Sequence, residues 1–443
     1  MSIEAQDCAA KTAIIVGAGH RSIIYASYAK HRPDRLRIVG VADPNPLRRQ
    51  EVQDLYGFSD DMCFESSDEL ASRGRLADFI INGTMDQQHV PTSLPLLKQG
   101  YDMLLEKPLA VNEEEMFELL DCAREHDSTV LICHVLRYAP FYRKIKDIIL
   151  SGQIGSVINL QLAEYVSHHH IAVAYIRGKW NNQHPPYIPI LLAKSSHDMD
   201  LMMWLKDESP RLVSSFGSDY QFRHDRKPEG AGTRCLTDCP LVDTCLYSAK
   251  SHYLDHPDRW SFYVWDDLED IEHPTLEDKR RSLETDNIHG RCMWEAEHDN
   301  VDHQVVTVHF ADGATGTLNL VGGTAKGDRT LHIVGTRGEI QGAFGDDAFI
   351  LRTITPSTPT GYTEEIIQAA DTDDVLAQIG GHGGGDLKVV EDFVNILYGE
   401  APSVSATTLA DSVTGHLAVF RAGDAMAATG IQDLTAILEE KDL

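Results

Sequence analysis

Over the first third of the chain, short apolar runs alternate with segments of helical period. The runs at 12–19 (TAIIVGAG), 36–43 (LRIVGVAD), 77–83 (ADFIING), 101–108 (YDMLLEKP) and 128–134 (STVLICH) are too short for buried helices and close on turn-forming or polar residues. They read as strands covered on both faces. Between them, VNEEEMFELLDCAREH (111–126) has Asn112 as N-cap, Glu115 three residues on, and Met116, Leu119, Leu120 and Ala123 on one helical face. Strand alternating with helix predicts a parallel sheet with helices on both sides. From about residue 135 the period changes. A helical segment at 141–152 leads to alternating strand-like runs at 156–166, 301–310, 313–322 and 329–342, with turns at 312–313 (DG) and 337–338 (RG). Two helical segments, 386–399 and 408–430, close the chain.

The predicted fold is therefore α/β, with an N-terminal parallel sheet over 1–134 and an α+β domain with a large, mostly antiparallel sheet over 135–443. The stretch 217–300 has few apolar runs and reads as a loop-rich, cysteine-containing insertion. In parallel sheets of this kind, ligands sit at the carboxyl ends of the strands. There, IIVGAGHRS (14–22) passes from strand to helix. Gly17 permits the tight turn, Gly19 lets the backbone approach a pyrophosphate at the helix N-terminus, and Ser22 is small enough to keep that helix close. The pattern marks a Rossmann-type dinucleotide site. Asp43 ends the second strand, where a carboxylate takes both ribose hydroxyls of NAD and repels the added phosphate of NADP. Arg48 and Arg49 soften that preference, so NAD is favoured and NADP is not excluded.

Composition narrows the partners. The formal net charge of −29 and the lack of a basic stripe or tail disfavour nucleic acid. No apolar run reaches the ~18–20 residues of a membrane span. The first residues lack a signal-peptide pattern, and eight cysteines in 443 residues do not resemble a secreted disulfide scaffold. A cytoplasmic protein is expected.

Several motifs occur together in one order: the glycine loop, EKPLA (106–110), RYAPFYRKIKDIILSGQIG (137–155), SSHDMDLMMWL (195–205) and GHGGGDLKVVEDFVNILYGEAPSVSA (381–406). In this the chain resembles the Gfo/Idh/MocA oxidoreductases, which act mostly on sugars, cyclitols and related polyols. The resemblance implies an NAD(P)-dependent dehydrogenase acting on a small carbohydrate. Its dinucleotide would contact Gly17, Ala18, Gly19, His20, Arg21, Ser22, Asp43, Arg48, Thr84, His89, Glu106 and Lys107. It also implies that the Lys107 amine lies between cofactor and substrate, where it holds a developing alkoxide or relays its proton. His197 would be the acid/base, and Asp200, three residues on, would orient it. Many relatives carry an aspartate four residues before this histidine. Here that position is Ala193, and the neighbouring Lys194 is expected to supply a second amine.

Arg177 and Trp180 offer a donor fork and an apolar face suited to a sugar. His382, in GGHGGGD (380–386), is a further substrate candidate. Cys235, Cys239, Cys245 and Cys292 are four thiols that would form a structural zinc site stapling the insertion. A large antiparallel sheet implies a homodimer or homotetramer. Two other readings share the same motifs: a glycoside-cleaving enzyme that oxidises its substrate transiently with bound NAD, and a non-catalytic ligand sensor.

Overall fold

The computed structural model describes residues 9–184, 188–256, 259, 262–269, 271, 273–369, 376, 379 and 381–443. Strands β1 (Lys11–Val16), β2 (Leu36–Ala42), β3 (Cys63–Phe64), β4 (Phe79–Asn82), β5 (Asp102–Leu105) and β6 (Val130–Ile132) form one sheet in the order β3-β2-β1-β4-β5-β6. Every pairing in it is parallel. The two-residue period of β1 divides it between two cores, with Ile14 and Val16 in one and Ala13 and Ile15 in the other. The strand is therefore continuously apolar. Strand order reverses beside β1 and β4, so the crevice opens where the glycine loop and Thr84 leave these strands. Helix α1 (His20–Ala26) follows the loop, and helix α2 (Glu113–Glu125) lies between β5 and β6. As the sequence predicts, Asn112 Oδ1 caps α2 by accepting from Glu115 N at 2.9 Å.

After helix α3 (Pro140–Leu150), nine strands build a second sheet: β7 (Val157–Ser167), β8 (Pro210–Ser218), β9 (His303–Phe310), β10 (Thr315–Thr324), β11 (Asp328–Gly335), β12 (Gly338–Ala343), β13 (Ala348–Ile354), β14 (Tyr362–Gln368) and β15 (Ile431–Asp433). The order is β14-β13-β12-β11-β7-β10-β9-β8-β15, antiparallel except where β7 pairs with β10. Strands β3, β8 and β13–β15 were not read from the sequence. Two of these segments are only two or three residues long, and β14 (YTEEIIQ) is almost wholly exposed, so no core-facing alternation marks it. Between β8 and β9 the described residues hold short helices and no strand.

Helix α4 (Ser196–Lys206) is buried from Ser196 to Leu205 and packs between the second sheet and helix α6 (Leu409–Ala428). Helix α5 (Gly385–Leu397) packs against α1 and against the segment that follows β6. In that segment the Arg137 guanidinium grips Asp200 of α4 through Nε at 2.8 Å and Nη2 at 2.7 Å. Both side chains are buried, so removing the cation strands a desolvated carboxylate. Arg137→Leu is expected to destabilise the protein by about 3–5 kcal/mol. Urea denaturation followed by fluorescence reads this as a clear drop in midpoint, and an unchanged midpoint would show that the pair is not what anchors α4.

Candidate active site

The glycine loop is built as a dinucleotide cradle. Gly17 has φ +77°, and a Cβ there would stand 2.7 Å from Thr84 Cα, so only glycine fits. Over Gly19 the nearest atom a Cβ would meet is Gly83 O at 3.9 Å, which leaves the approach open. Ser22 is fully buried, and a Cβ on Gly83 would fall 2.2 Å from its Oγ, so the helix sits hard against the strand-β4 turn. Asp43 accepts from Ala18 N and from Asn45 N, both at 2.8 Å, tying the end of β2 to the loop. These residues fit a bound dinucleotide: an open glycine turn, an uncapped helix start after Gly19, and a carboxylate at the ribose position. His20 is exposed at the first turn of α1.

Other expected cofactor contacts have local duties. Arg48 is taken by Glu269 of the insertion, with Nε–Oε2 at 3.1 Å and Nη2–Oε2 at 2.5 Å. His89 is 1% exposed and joins Pro108 O (Nδ1, 2.5 Å) to Thr84 O (Nε2, 3.1 Å), clamping the Glu-Lys-Pro turn to the end of β4. Arg21 leaves the loop sideways: Nε donates to Glu106 Oε1 at 2.7 Å and Nη2 to Asp386 Oδ1 at 2.8 Å. Tyr25 OH donates to the same Glu106 oxygen at 2.8 Å. Burial works to raise the Glu106 pKa, but Arg21 and Lys107 hold it below the ordinary carboxylate value.

Lys107 emerges at the end of β5, half-buried, and its Nζ donates to Ala193 O at 2.9 Å, just ahead of α4. Around it stand imidazoles. His197 is 5% exposed, its ring 5.6 Å from that of His134 and 6.0 Å from that of His382. Burial, then Lys107, His134 and His382, drive the His197 pKa well below its usual value. His134 falls for the same first reason, and His416 is lowered to about 3, again by burial. The amine is thus surrounded by neutral rings. His416 Nε2 accepts from Leu109 N at 3.1 Å, and His134 Nε2 lies 3.2 Å from Ser412 Oγ.

Several expectations are corrected here. Asp200 does not orient His197: its oxygens are spent on Arg137, and His197 Nδ1 is buried without a hydrogen-bond partner. At the start of α4 the Ser195 and Ser196 hydroxyls are likewise buried without hydrogen-bond partners. Lys194 is not a free second amine. Its Nζ lies 3.2 Å from Glu164 Oε1, and Arg329 Nε joins Glu164 (2.7 Å) to Asp198 (2.8 Å). Burial lowers the Lys194 pKa, with Glu164 opposing. Arg177 lies inside the insertion, 1% exposed, donating to Tyr247 O at 2.7 Å. Trp180 donates through Nε1 to Asp86 Oδ2 at 2.5 Å, so its indole is fixed at the crevice edge.

The zinc expectation also fails. Cys235, Cys239, Cys245 and Cys292 are free, and no three or more His, Cys, Asp or Glu among the described residues are grouped to hold a metal ion. Arg177 Nη2 donates to Cys235 Sγ at 3.7 Å, and its charge also reaches Cys245 and Cys292.

Residues 11–134 match the family model described as an oxidoreductase family with an NAD-binding Rossmann fold, and residues 146–413 match its C-terminal alpha/beta domain. The chain belongs to the Gfo/Idh/MocA oxidoreductase family. Among curated Gfo/Idh/MocA-like relatives, the putative oxidoreductase YteT of Bacillus subtilis is 27% identical over 396 residues, spanning 85% of this chain and 87% of that protein. An inositol 2-dehydrogenase of Leifsonia xyli is 28% identical over 172 residues, 38% of this chain and 45% of that protein. Levoglucosan dehydrogenase, solved with NADH and levoglucosan, shares the fold at TM-score 0.68 and 16% identity, covering 96% of this chain and 99% of that one. No helix among the described residues is long and apolar enough to cross a membrane.

Sequence reasoning did not find the roles of Arg137, His134, Glu164, Arg329 or Asp386, because their partners lie on distant segments. The glycine turn gives the first test of the cradle. An alanine at Gly17 meets both a left-handed backbone and Thr84, so Gly17→Ala is expected to weaken NADH binding by tenfold or more, a loss of at least about 1.4 kcal/mol. Fluorescence titration of NADH checks this, and unchanged affinity would remove the loop from the dinucleotide site.

Proposed function

We propose that this protein is an NAD(P)-dependent dehydrogenase, with NAD preferred, that oxidises a secondary hydroxyl of a sugar, cyclitol or sugar derivative. One observation carries the reading. The Lys107 amine, at the carboxyl end of β5, hydrogen-bonds a neutral carbonyl in the segment that delivers His197. A lysine held by a carbonyl keeps its positive charge for an oxygen that becomes negative. The other cations near the cleft are matched by acids: Lys194 by Glu164, Arg329 by Glu164 and Asp198, and Arg21 by Glu106 and Asp386. Such a balanced lining favours an uncharged polyhydroxylated substrate. Relatives named for inositol, 1,5-anhydro-D-fructose and levoglucosan support the same class.

When bound, the nicotinamide supplies the hydride acceptor. Lys107 would hold the substrate oxygen as its charge grows, His197 would donate or accept a hydrogen bond at the reacting hydroxyl, and a cleft imidazole would carry the proton away. At the crevice edge the Trp180 indole, held by Asp86, would exclude water from the reacting atoms. Phe216 and Ile366, each 64% exposed, lie on one face of the second sheet and support self-association through it as a homodimer or homotetramer.

The deciding experiment supplies myo-inositol, levoglucosan, free hexoses and hexosides with NAD and NADP, following NADH absorbance and products together. Turnover with net NADH is expected on one subset. Lys107→Met should lower kcat by about a hundred- to a thousandfold while NADH still binds, and unchanged activity would overturn the assignment. Light scattering of the wild-type protein should return at least a dimer; a monomer at micromolar concentration would remove the proposed interface.

A further inference from the structure

His382 is the cleft imidazole with a fully buried carboxylate of its own. Its Nδ1 lies 3.0 Å from Asp386 Oδ1, and Asp386 is 0% exposed. The carboxylate also accepts from Arg21 Nη2 at 2.8 Å, Arg21 Nη1 at 3.3 Å and Gly381 N at 2.9 Å. Burial works to raise the Asp386 pKa, but His382 and Arg21 hold it well below the ordinary carboxylate value. Arg21 in turn binds Glu106, the residue before Lys107, so one guanidinium sets both the dyad and the lysine turn.

The turn that presents His382 is strained and pinned. His382 itself has φ +54°, and Gly383 and Gly384 follow at +64° and +86°. A Cβ at Gly385 would stand 2.0 Å from Val135 O, so backbone meets backbone there. Held in this way, the imidazole keeps 37% of its side-chain surface exposed, and its ring lies 6.0 Å from that of His197. The other candidates lack this arrangement. His197 has no carboxylate partner, His134 and His416 are sealed, and Lys194 is held by Glu164.

We propose that His382, oriented by Asp386, is the catalytic base that removes the proton of the substrate hydroxyl, with Lys107 holding the oxygen. The inference rests on the dehydrogenase reading. His382 donates Nδ1–H to Asp386, which leaves Nε2 with its lone pair for the substrate. The hydroxyl O–H bond breaks and its proton forms N–H at Nε2. The oxygen's electron pair closes the C=O bond, and the carbinol hydrogen departs with its pair as hydride to the nicotinamide of NAD. The imidazolium formed is offset by Asp386, and its proton leaves to solvent from the exposed side of the ring. Charged and titratable groups facing His382 are Asp386 from the first turn of α5, Arg21 from α1, Arg329 from β11 and His197 from α4.

Two measurements on the NAD-loaded full chain test this. Long-range proton–nitrogen NMR, with the His382 signal assigned by its loss in His382→Gln, should show the Nδ1–H tautomer at neutral pH. An Nε2–H tautomer would overturn the proposal. On the best substrate of the panel above, His382→Gln should lower kcat about a hundredfold, leave KM within about threefold and abolish the acid limb of the kcat–pH profile. That limb belongs to a base that must be neutral and is lost as pH falls through its pKa. Free imidazole should restore part of the rate to His382→Ala. If His382→Gln keeps kcat and the acid limb while Lys107→Met is inactive, His382 is not the base and the dehydrogenase reading stands. If the wild-type protein oxidises nothing in the panel, both fall together.

Discussion

The bridge from the half-buried Arg21 to the buried carboxylates of Glu106 and Asp386 joins three parts of the chain that would otherwise be independent: the glycine turn, the end of β5 and the start of α5. Burial opposes the Arg21 charge, but Tyr25, Glu106 and Asp386 outweigh it and hold the guanidinium firmly ionised. Two carboxylates facing one cation in a desolvated site fix each other's direction far more tightly than an exposed pair would, because misalignment strands a charge. Glu106 immediately precedes Lys107, so fixing its carboxylate sets the direction in which the amine leaves the strand. Asp386 carries His382. The same contact thus ties the glycine turn to Lys107 and His382, the two groups to which the proposals above give the substrate hydroxyl.

Around that bridge, charge is distributed unequally. Arg137 and Asp200 are matched deep in the core, and Lys194, Glu164, Arg329 and Asp198 form a second balanced set. The histidines between them are kept neutral by burial and by neighbouring cations. The Lys107 amine is bonded to a carbonyl and makes no ion pair of its own among the described residues, although its charge is felt by Glu106, which Arg21 already holds. A low-dielectric cleft amplifies whatever charge is left unmatched, and it is on this ground that the proposed function gives the oxygen anion to a single amine.

The insertion follows a different logic. Its centre is the Arg177 guanidinium, set against Tyr253, the Tyr247 carbonyl and Cys235. Phe222, Tyr253, Leu254, Leu283 and Met293 of the insertion are buried around it, and a loop-rich segment also needs a polar or metal nucleus to satisfy backbone groups that no strand or long helix pairs. Here an arginine and its hydrogen bonds serve that purpose, and Glu269 and the neighbouring Trp180 segment extend from it to the rim of the dinucleotide crevice.

The parallel sheet, the glycine turn, the Asn112 cap and the position of Lys107 were legible in the sequence, because each depends on residues within one strand, one turn or one helical face. The large antiparallel sheet was legible in outline, while its polar edge strand β14 was not, since an exposed strand has no alternation to read. What only the tertiary structure decided is which charge meets which. Asp200 sits three residues from His197 yet belongs to Arg137, and Arg21 finds Asp386 across 365 residues. Periodicity constrains neighbours along an element. Buried charges pair with whatever opposite charge the packing brings within reach, and in this chain those partners lie on different elements.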